Sequence, residues 1–224
     1  MIYRHLIARF SSDSLPESVT VTQRSTLQEY QRKRNVSRSR EPPASKRASN
    51  KRSKGGRRFV IQKHDASPLH YDLRLEIGNV LVSWAIPKGP STDPREKRLA
   101  VHTEDHPKDY ASFEGVIPEG EYGSGTVMIW DRGRYRNLRA HKGPHSRSMD
   151  ASLKDGLIEV WIDGSKIKGG YALNRIGSGK KPRWLLIKMN DDEADARRNP
   201  VSTERQSASS GRTMSQIAAE DKRP

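Results

Sequence analysis

The sequence predicts a mainly β protein: a compact antiparallel eight-stranded β-barrel, with a short helical N-terminal element and a disordered basic arm before it. Three observations lead there. About eight short segments between Phe59 and Met189 alternate like strands and are separated by Gly- and Pro-containing turns. No strong helical repeat interrupts them. Only 32% of the 224 residues are hydrophobic, which suits one modest core and not two full domains.

Taken in order, residues 1–25 are expected to form a disordered leader. Met1–Ser12 contains Arg and no acid, a faint likeness to a transit peptide, while Arg4, His5 and Arg9 break any secretory apolar run. Thr26–Arg34 has helical character, with Leu27 and Tyr30 one turn apart, and Pro42 and Pro43 stop it. This helix and the Ser/Arg/Lys-rich stretch after it make up residues 26–58. The barrel occupies 59–190. Its expected strands are Phe59–Lys63, Leu69–Ile77, Val80–Ile86, Leu99–Thr103, Gly125–Asp131, Leu157–Asp163, Tyr171–Arg175 and Arg183–Met189. Gly78-Asn79 and Asp163-Gly164 are hairpin signals. His141–Met149 reads as a loop insertion, and residues 191–224, polar and Ser/Arg-rich, as a disordered tail. Trp84, Trp130, Trp161 and Trp184 all fall within apolar strands and are expected in the core.

Composition narrows the function. The absence of cysteine excludes disulfide scaffolds, Cys-ligated zinc, iron–sulfur clusters and thiol catalysis. No run approaches the roughly 20 apolar residues of a membrane-spanning helix, so a soluble protein with no membrane partner is expected; a monomer is expected too. The formal charge is +15, and it is uneven. Residues 1–58 carry 15 basic and four acidic side chains, against 21 and 16 in residues 59–190. An arm such as ASKRASNKRSKGGRR is either a solubilising tail or a phosphate-binding one; its density favours nucleic acid.

The chemistry concentrates on one strand. In Leu69–Ile77, Leu69, Tyr71, Leu73, Leu75 and Ile77 share one parity, and His70, Asp72, Arg74 and Glu76 the other. Alternate side chains share a face, so an apolar core face backs a row of imidazole, carboxylate, guanidinium and carboxylate. His64 lies upstream, beyond Ser67-Pro68, where a turn folds it back beside His70. Two histidines and a carboxylate form a facial ligand set for a first-row divalent metal. The alternative is a simple His70–Asp72 pair on an exposed surface, and H-x-D spacing alone leaves both open. Lys88, Arg98, His106 and Tyr110 are further polar groups downstream. The glycines of Gly115–Gly125 match no phosphate-loop spacing and read as turn formers.

These residues resemble a family. FVIQKHDASPLHYDLRLE, SWAIPKGPS, KRLAVHTEDHPKDYASFEGVIPEGEYGSGTVMIWDRG and WLLIKM are similar to the phosphoesterase domain of bacterial DNA ligase D. Upstream, YQRKRNVSRSREP is similar to its Y-x-x-K-R-D-F-x-x-T-x-E-P element. The likeness spans roughly residues 27–190, without a nucleotidyltransferase K-x-D-G motif or a polymerase module. It implies a manganese-dependent enzyme on a compact β-barrel that removes 3'-phosphates, and 3'-terminal ribonucleosides, at primer-template ends in non-homologous end joining. It implies His64, His70 and Asp72 as metal ligands. It implies Arg74, Lys88, Arg98, His106 and Tyr110 as phosphate-contacting and catalytic residues, with Arg34 and Glu41 from the N-terminal element; His106 is the candidate general acid. DNA or DNA/RNA 3' ends are the implied partners, with a DNA ligase and Ku beside them, and a role in DNA repair would place the protein in the cytoplasm. Asn35, Val36 and Ser39 stand where the element has Asp, Phe and Thr.

Two rival functions follow from the same residues. A non-catalytic DNA-binding module fits if Asn35 disables the site. An Fe(II)/2-oxoglutarate oxygenase shares H-x-D with a distal histidine, a part His141 or His145 could take, but the surrounding groups are phosphate binders.

Overall fold

The computed structural model describes residues 27–35, 37–44, 56–141, 143–177 and 182–220. The expected leader and most of the basic arm lie outside the described residues. The expected helix is present as α1 (Gln28–Lys33).

The barrel is built from β1 (Arg57–Asp65), β2 (His70–Ile77), β3 (Val80–Ile86), β4 (Lys97–His102), β7 (Gly125–Asn137), β8 (Leu157–Gly164), β9 (Lys168–Arg175) and β10 (Arg183–Lys188). These eight close on themselves in the order β1-β2-β3-β4-β10-β9-β8-β7-β1, every neighbour antiparallel. Closure removes the open edges a sheet of this size would otherwise present. Two short strands, β5 (His106–Pro107) on β3 and β6 (Gly115–Ile117) on β7, are added outside the ring.

The period of two decides what goes inside. Tyr71, Leu73, Leu75 and Ile77 of β2 join Val82, Trp84 and Ile86 of β3, with Trp130 and Trp184, in one core cluster. Trp84 packs edge-on against Trp184 at 5.8 Å, and Tyr71 against Trp130 at 5.4 Å. Trp161 departs from expectation: it is half-buried, and the Arg136 guanidinium lies 5.5 Å from its ring centroid. On β8 it shares a parity with exposed Asp163, the outer face, whereas Val160 and Ile162 fill the core.

A second, smaller cluster lies outside the wall. Leu81 and Val127, on outward positions of β3 and β7, are covered by Tyr30 of α1, Tyr110 and Phe113 around a 3-10 turn (Lys108–Ser112), and Ile117 of β6. This cap buries the polar face of β2, which a bare barrel would leave in water.

The expected disordered tail is instead ordered through residue 220. α3 (Pro200–Thr203) and α4 (Met214–Glu220) pack on the barrel, with Ile217 in the core cluster and Val201 and Met214 against it. Trp130 Nε1 donates to the Glu204 carbonyl at 2.8 Å, Ala208 N to Ile129 O at 2.8 Å, and the Glu114 carboxylate accepts from Ser207 and Arg212. A few apolar anchors and many side-chain-to-backbone hydrogen bonds hold the segment, so its polar composition misleads. α2 (Met149–Asp155), capped by Ser148 and ended by left-handed Gly156, follows the expected loop insertion. Among the described residues no helix is long and apolar enough to cross a membrane.

Candidate active site

Cross-strand register assembles the site. In the β1–β2 hairpin His64 stands opposite His70 and Gln62 opposite Asp72; in β2–β3, Asp72 stands opposite Ala85 and Arg74 opposite Ser83. Directly opposed residues sit on the same face, about 4.5–5.5 Å apart at Cβ. The small side chains of Ser83 and Ala85 leave room on that face, and the cap closes it into a pocket lined by Arg34, His64, His70, Asp72, Arg74, His106 and Tyr110, among others.

His64, His70 and Asp72 offer donor atoms within 4.8 Å of one another. Their hydrogen bonds fix which nitrogens are available. A carbonyl only accepts, so His64 Nε2 donates to Gly123 O at 2.8 Å and His70 Nδ1 donates to Pro68 O at 2.9 Å. That leaves the lone pairs of His64 Nδ1 and His70 Nε2, 3.8 Å and 3.7 Å from the two Asp72 oxygens. Outer hydrogen bonds of this kind orient imidazoles toward a metal. Burial alone would raise the Asp72 carboxyl, but the Arg74 guanidinium, with Nη2 at 3.0 Å, outweighs it and holds the group at about 2. The donor set fits a divalent ion.

Beside it two guanidiniums are buried. Arg74, only 3% exposed, donates from Nε to Gln62 Oε1 at 2.7 Å and from Nη1 to Ser83 Oγ at 2.9 Å. Arg34 donates from Nε to Glu41 Oε1 and from Nη1 to Glu104 Oε1, both at 2.9 Å, and lies 4.2 Å over the Tyr30 ring. Tyr110 donates to Glu41 Oε1 at 3.0 Å; burial and Glu41 push its phenol well above the usual range, so it remains a hydroxyl. Glu104 also meets Lys33 Nζ at 3.1 Å.

His106 sits between the two arginines and accepts from one of them. Its Nδ1 is 2.9 Å from the Glu104 carbonyl, to which it must donate, and its Nε2 accepts from Arg34 Nη2 at 3.1 Å; Arg74 Nη1 is 3.0 Å from Nδ1. Burial, then Arg74 and Arg34, drives its pKa well below the usual imidazole range. The pocket therefore holds His106 neutral.

Eight of the ten residues singled out in the sequence converge here: Arg34, Glu41, His64, His70, Asp72, Arg74, His106 and Tyr110. Lys88 and Arg98 do not. They line an adjoining groove with Pro87, Glu96, Lys97 and Leu99. There Arg98 Nη2 donates to Glu96 Oε2 at 2.5 Å, while Arg98 Nε is buried without a partner among the described residues. Ala85 lines the pocket and Pro87, two residues on, the groove, so the two are neighbours.

Asn35 is exposed and its Oδ1 accepts from Ser37 N and Oγ, at 3.3 Å and 2.6 Å, in a local turn. Ser39 Oγ donates to Glu41 Oε2 at 3.1 Å; Val36 lies outside the described residues. His141 and His145 are exposed in their loop, apart from the triad. Sequence reasoning missed Gln62, Ser83 and Glu104. The first two share the outward parity of His64 and Ala85, a signal visible only once the register is known.

Two imidazole lone pairs and a carboxylate on the barrel wall, beside two buried guanidiniums, combine a donor set that fits a divalent ion with a positive lining. The chain belongs to the DNA ligase D 3'-phosphoesterase domain family, whose model matches residues 62–175. It is 47% identical over 169 residues to the multifunctional non-homologous end joining protein LigD of Pseudomonas aeruginosa, covering 75% of this chain and 19% of that protein. The corresponding protein of Mycobacterium tuberculosis is 42% identical over 168 residues, 75% of this chain and 20% of its own length. The Mycolicibacterium smegmatis protein is 46% identical over 136 residues, 61% and 17% respectively. The chain thus spans about a fifth of the length of these relatives.

Proposed function

We propose that the protein is a divalent-metal-dependent phosphoesterase that removes phosphate, and 3'-terminal ribonucleosides, from DNA 3' ends during double-strand break repair by end joining. The observation that carries this is the convergence of the free lone pairs of His64 and His70 and the Asp72 carboxylate with Arg74 and Arg34 in one small pocket. When bound by these three, the ion, manganese in this reading, supplies Lewis-acid polarisation of a phosphoryl oxygen.

The chain's own residues do the rest. Arg74 is pre-positioned by Gln62, Ser83 and Asp72, and Arg34 by Glu41 and Glu104, so neither guanidinium reorganises when charge develops on the phosphoryl oxygens. Tyr110 holds Glu41 and through it Arg34. His106 is neutral while the guanidiniums flanking it are unbalanced; a phosphate dianion beside Arg34 and Arg74 offsets their charge and favours the imidazolium, whose Nε2 proton passes to the leaving oxygen as water attacks phosphorus. Lys88 and Arg98, in the adjoining groove, suit a phosphate of the strand leading into the pocket. The product, a 3'-hydroxyl, is what a ligase consumes, which makes a ligase and Ku the fitting partners.

The test is end polarity. Manganese-dependent release of phosphate from a 3'-phosphate primer-template, with a 5'-phosphate left intact, is expected. A protein that binds the DNA in manganese and releases nothing is a binding module, and the proposal fails.

A further inference from the structure

We propose that Tyr122 is a nucleobase subsite, the ring on which the 3'-terminal base stacks while its phosphate lies beside His64, His70 and Asp72. The inference rests on the phosphoesterase reading and names the part of the substrate that the pocket itself leaves outside.

Size is the first reason. The pocket encloses about 140 Å³, whereas sites that engulf whole small molecules run to about 300–1,000 Å³. An ion and a phosphoryl group fit; a nucleoside does not. The sugar and base of a terminal nucleotide must lie at the mouth. Tyr122 lines this same pocket and is 46% exposed.

The ring is also held in place. Lys33 Nζ lies 4.7 Å and the Arg34 guanidinium carbon 5.4 Å from its centroid, and Lys33 donates to the Tyr122 hydroxyl at 3.3 Å. Cations near a ring fix it at little entropic cost and favour a stacked base whose phosphate they also attract. The loop that carries the ring needs its glycines: Gly120, Gly123 and Gly125 have φ of 85°, 78° and 136°, and at Gly125 the backbone packs so closely on the end of β1 that a Cβ would stand 2.2 Å from the Asp65 carbonyl oxygen. Residue 123 supplies the carbonyl that orients His64. A single peptide unit therefore ties the ring to a metal ligand, and base and phosphate positions are set together. The Gly-rich loop finds its use here, as the mount of an aromatic platform. Stacking is tolerant of base identity, as an enzyme working at arbitrary 3' ends requires.

Steady-state kinetics in manganese on 3'-phosphate primer-templates, with the terminal base present or replaced by an abasic site, test this in wild type, Tyr122→Ala and Tyr122→Phe. Manganese stoichiometry is measured in each. Wild type is expected to favour the base-bearing end through KM by about 5- to 150-fold, the span of one base–aromatic stack. Tyr122→Ala should lose that preference through KM with kcat little changed, and Tyr122→Phe should restore it. Equal preference in wild type and Tyr122→Ala, or none in wild type, overturns the inference. Loss of manganese in Tyr122→Ala also overturns it, by making the residue a prop for His64. If wild type releases no phosphate from either end, the phosphoesterase reading fails, and this inference with it.

Discussion

Replacing Asp72 with Asn isolates the electrostatic coupling at the heart of the site. The carboxyl is buried and is held at about 2 against an ordinary 3.8, because the Arg74 guanidinium outweighs the burial that would raise it. At about 1.36 kcal/mol for each unit, the ionised form contributes roughly 2–3 kcal/mol to folding at neutral pH. The sign is that of a depressed acid: the contribution is complete above the ordinary carboxylate pKa and is lost as pH falls toward the folded value. By pH 3 about half of it should be gone.

The assay is urea unfolding from pH 7 to pH 3, in chelator, for wild type and Asp72→Asn. Other carboxylates titrate in both proteins, so the difference between the two curves is the quantity to read. Wild type should be the more stable by at least about 2–3 kcal/mol at pH 7, since the amide also leaves Arg74 without its counter-charge, and the gap should narrow by about 1 kcal/mol toward pH 3. Parallel pH curves would refute the coupling.

Other perturbations separate the roles of neighbouring groups. Arg74→Ala and His106→Ala should keep manganese but lose about 10²–10³ in kcat, the scale of removing a pre-positioned charge-stabilising donor; rates close to wild type with full metal occupancy contradict their assignment. Ile217→Ala should lower stability by about 2–5 kcal/mol, read as a fall in Tm, because Ile217 is 2% exposed in the barrel core; an unchanged Tm would detach the C-terminal segment from the fold. Deleting residues 46–54, with five basic side chains, should flatten the log–log salt dependence of DNA affinity by about 0.9 for each phosphate that those side chains neutralise, and leave the saturated rate alone. Parallel salt plots would make the arm a solubilising linker.

Much of this is legible in the residues, and the limits have physical causes. The parity of Leu69–Ile77 separates core from chemistry because a strand alternates strictly, and one turn suffices to return His64 to His70. The roles of Gln62, Ser83 and Glu104 depend on register and on the cap, which arise from packing between segments distant in sequence. Lys88 and Arg98 carry the right charge, but the turn after β3 and the start of β4 place them in the adjoining groove and not in the pocket. Residues 191–220 defeat a compositional reading because Val201, Met214 and Ile217 land on the barrel core while backbone carbonyls find polar partners, as Glu204 O does with Lys166 at 3.3 Å. Trp161 departs from expectation for a related reason: a tryptophan in a strand is usually core, but its parity here matches exposed Asp163, and Arg136 covers it instead.

In the proposed reaction one divalent ion, held by His64, His70 and Asp72, works beside two buried guanidiniums on a 3'-terminal phosphate. Manganese stoichiometry and phosphate release from a 3'-phosphate primer-template, measured on the same preparations of wild type and His70→Ala, test it most directly. One manganese per chain and manganese-dependent release in wild type, with both abolished in a folded His70→Ala, is the predicted result. Undiminished manganese binding in His70→Ala, or release by either protein in excess chelator, would contradict it.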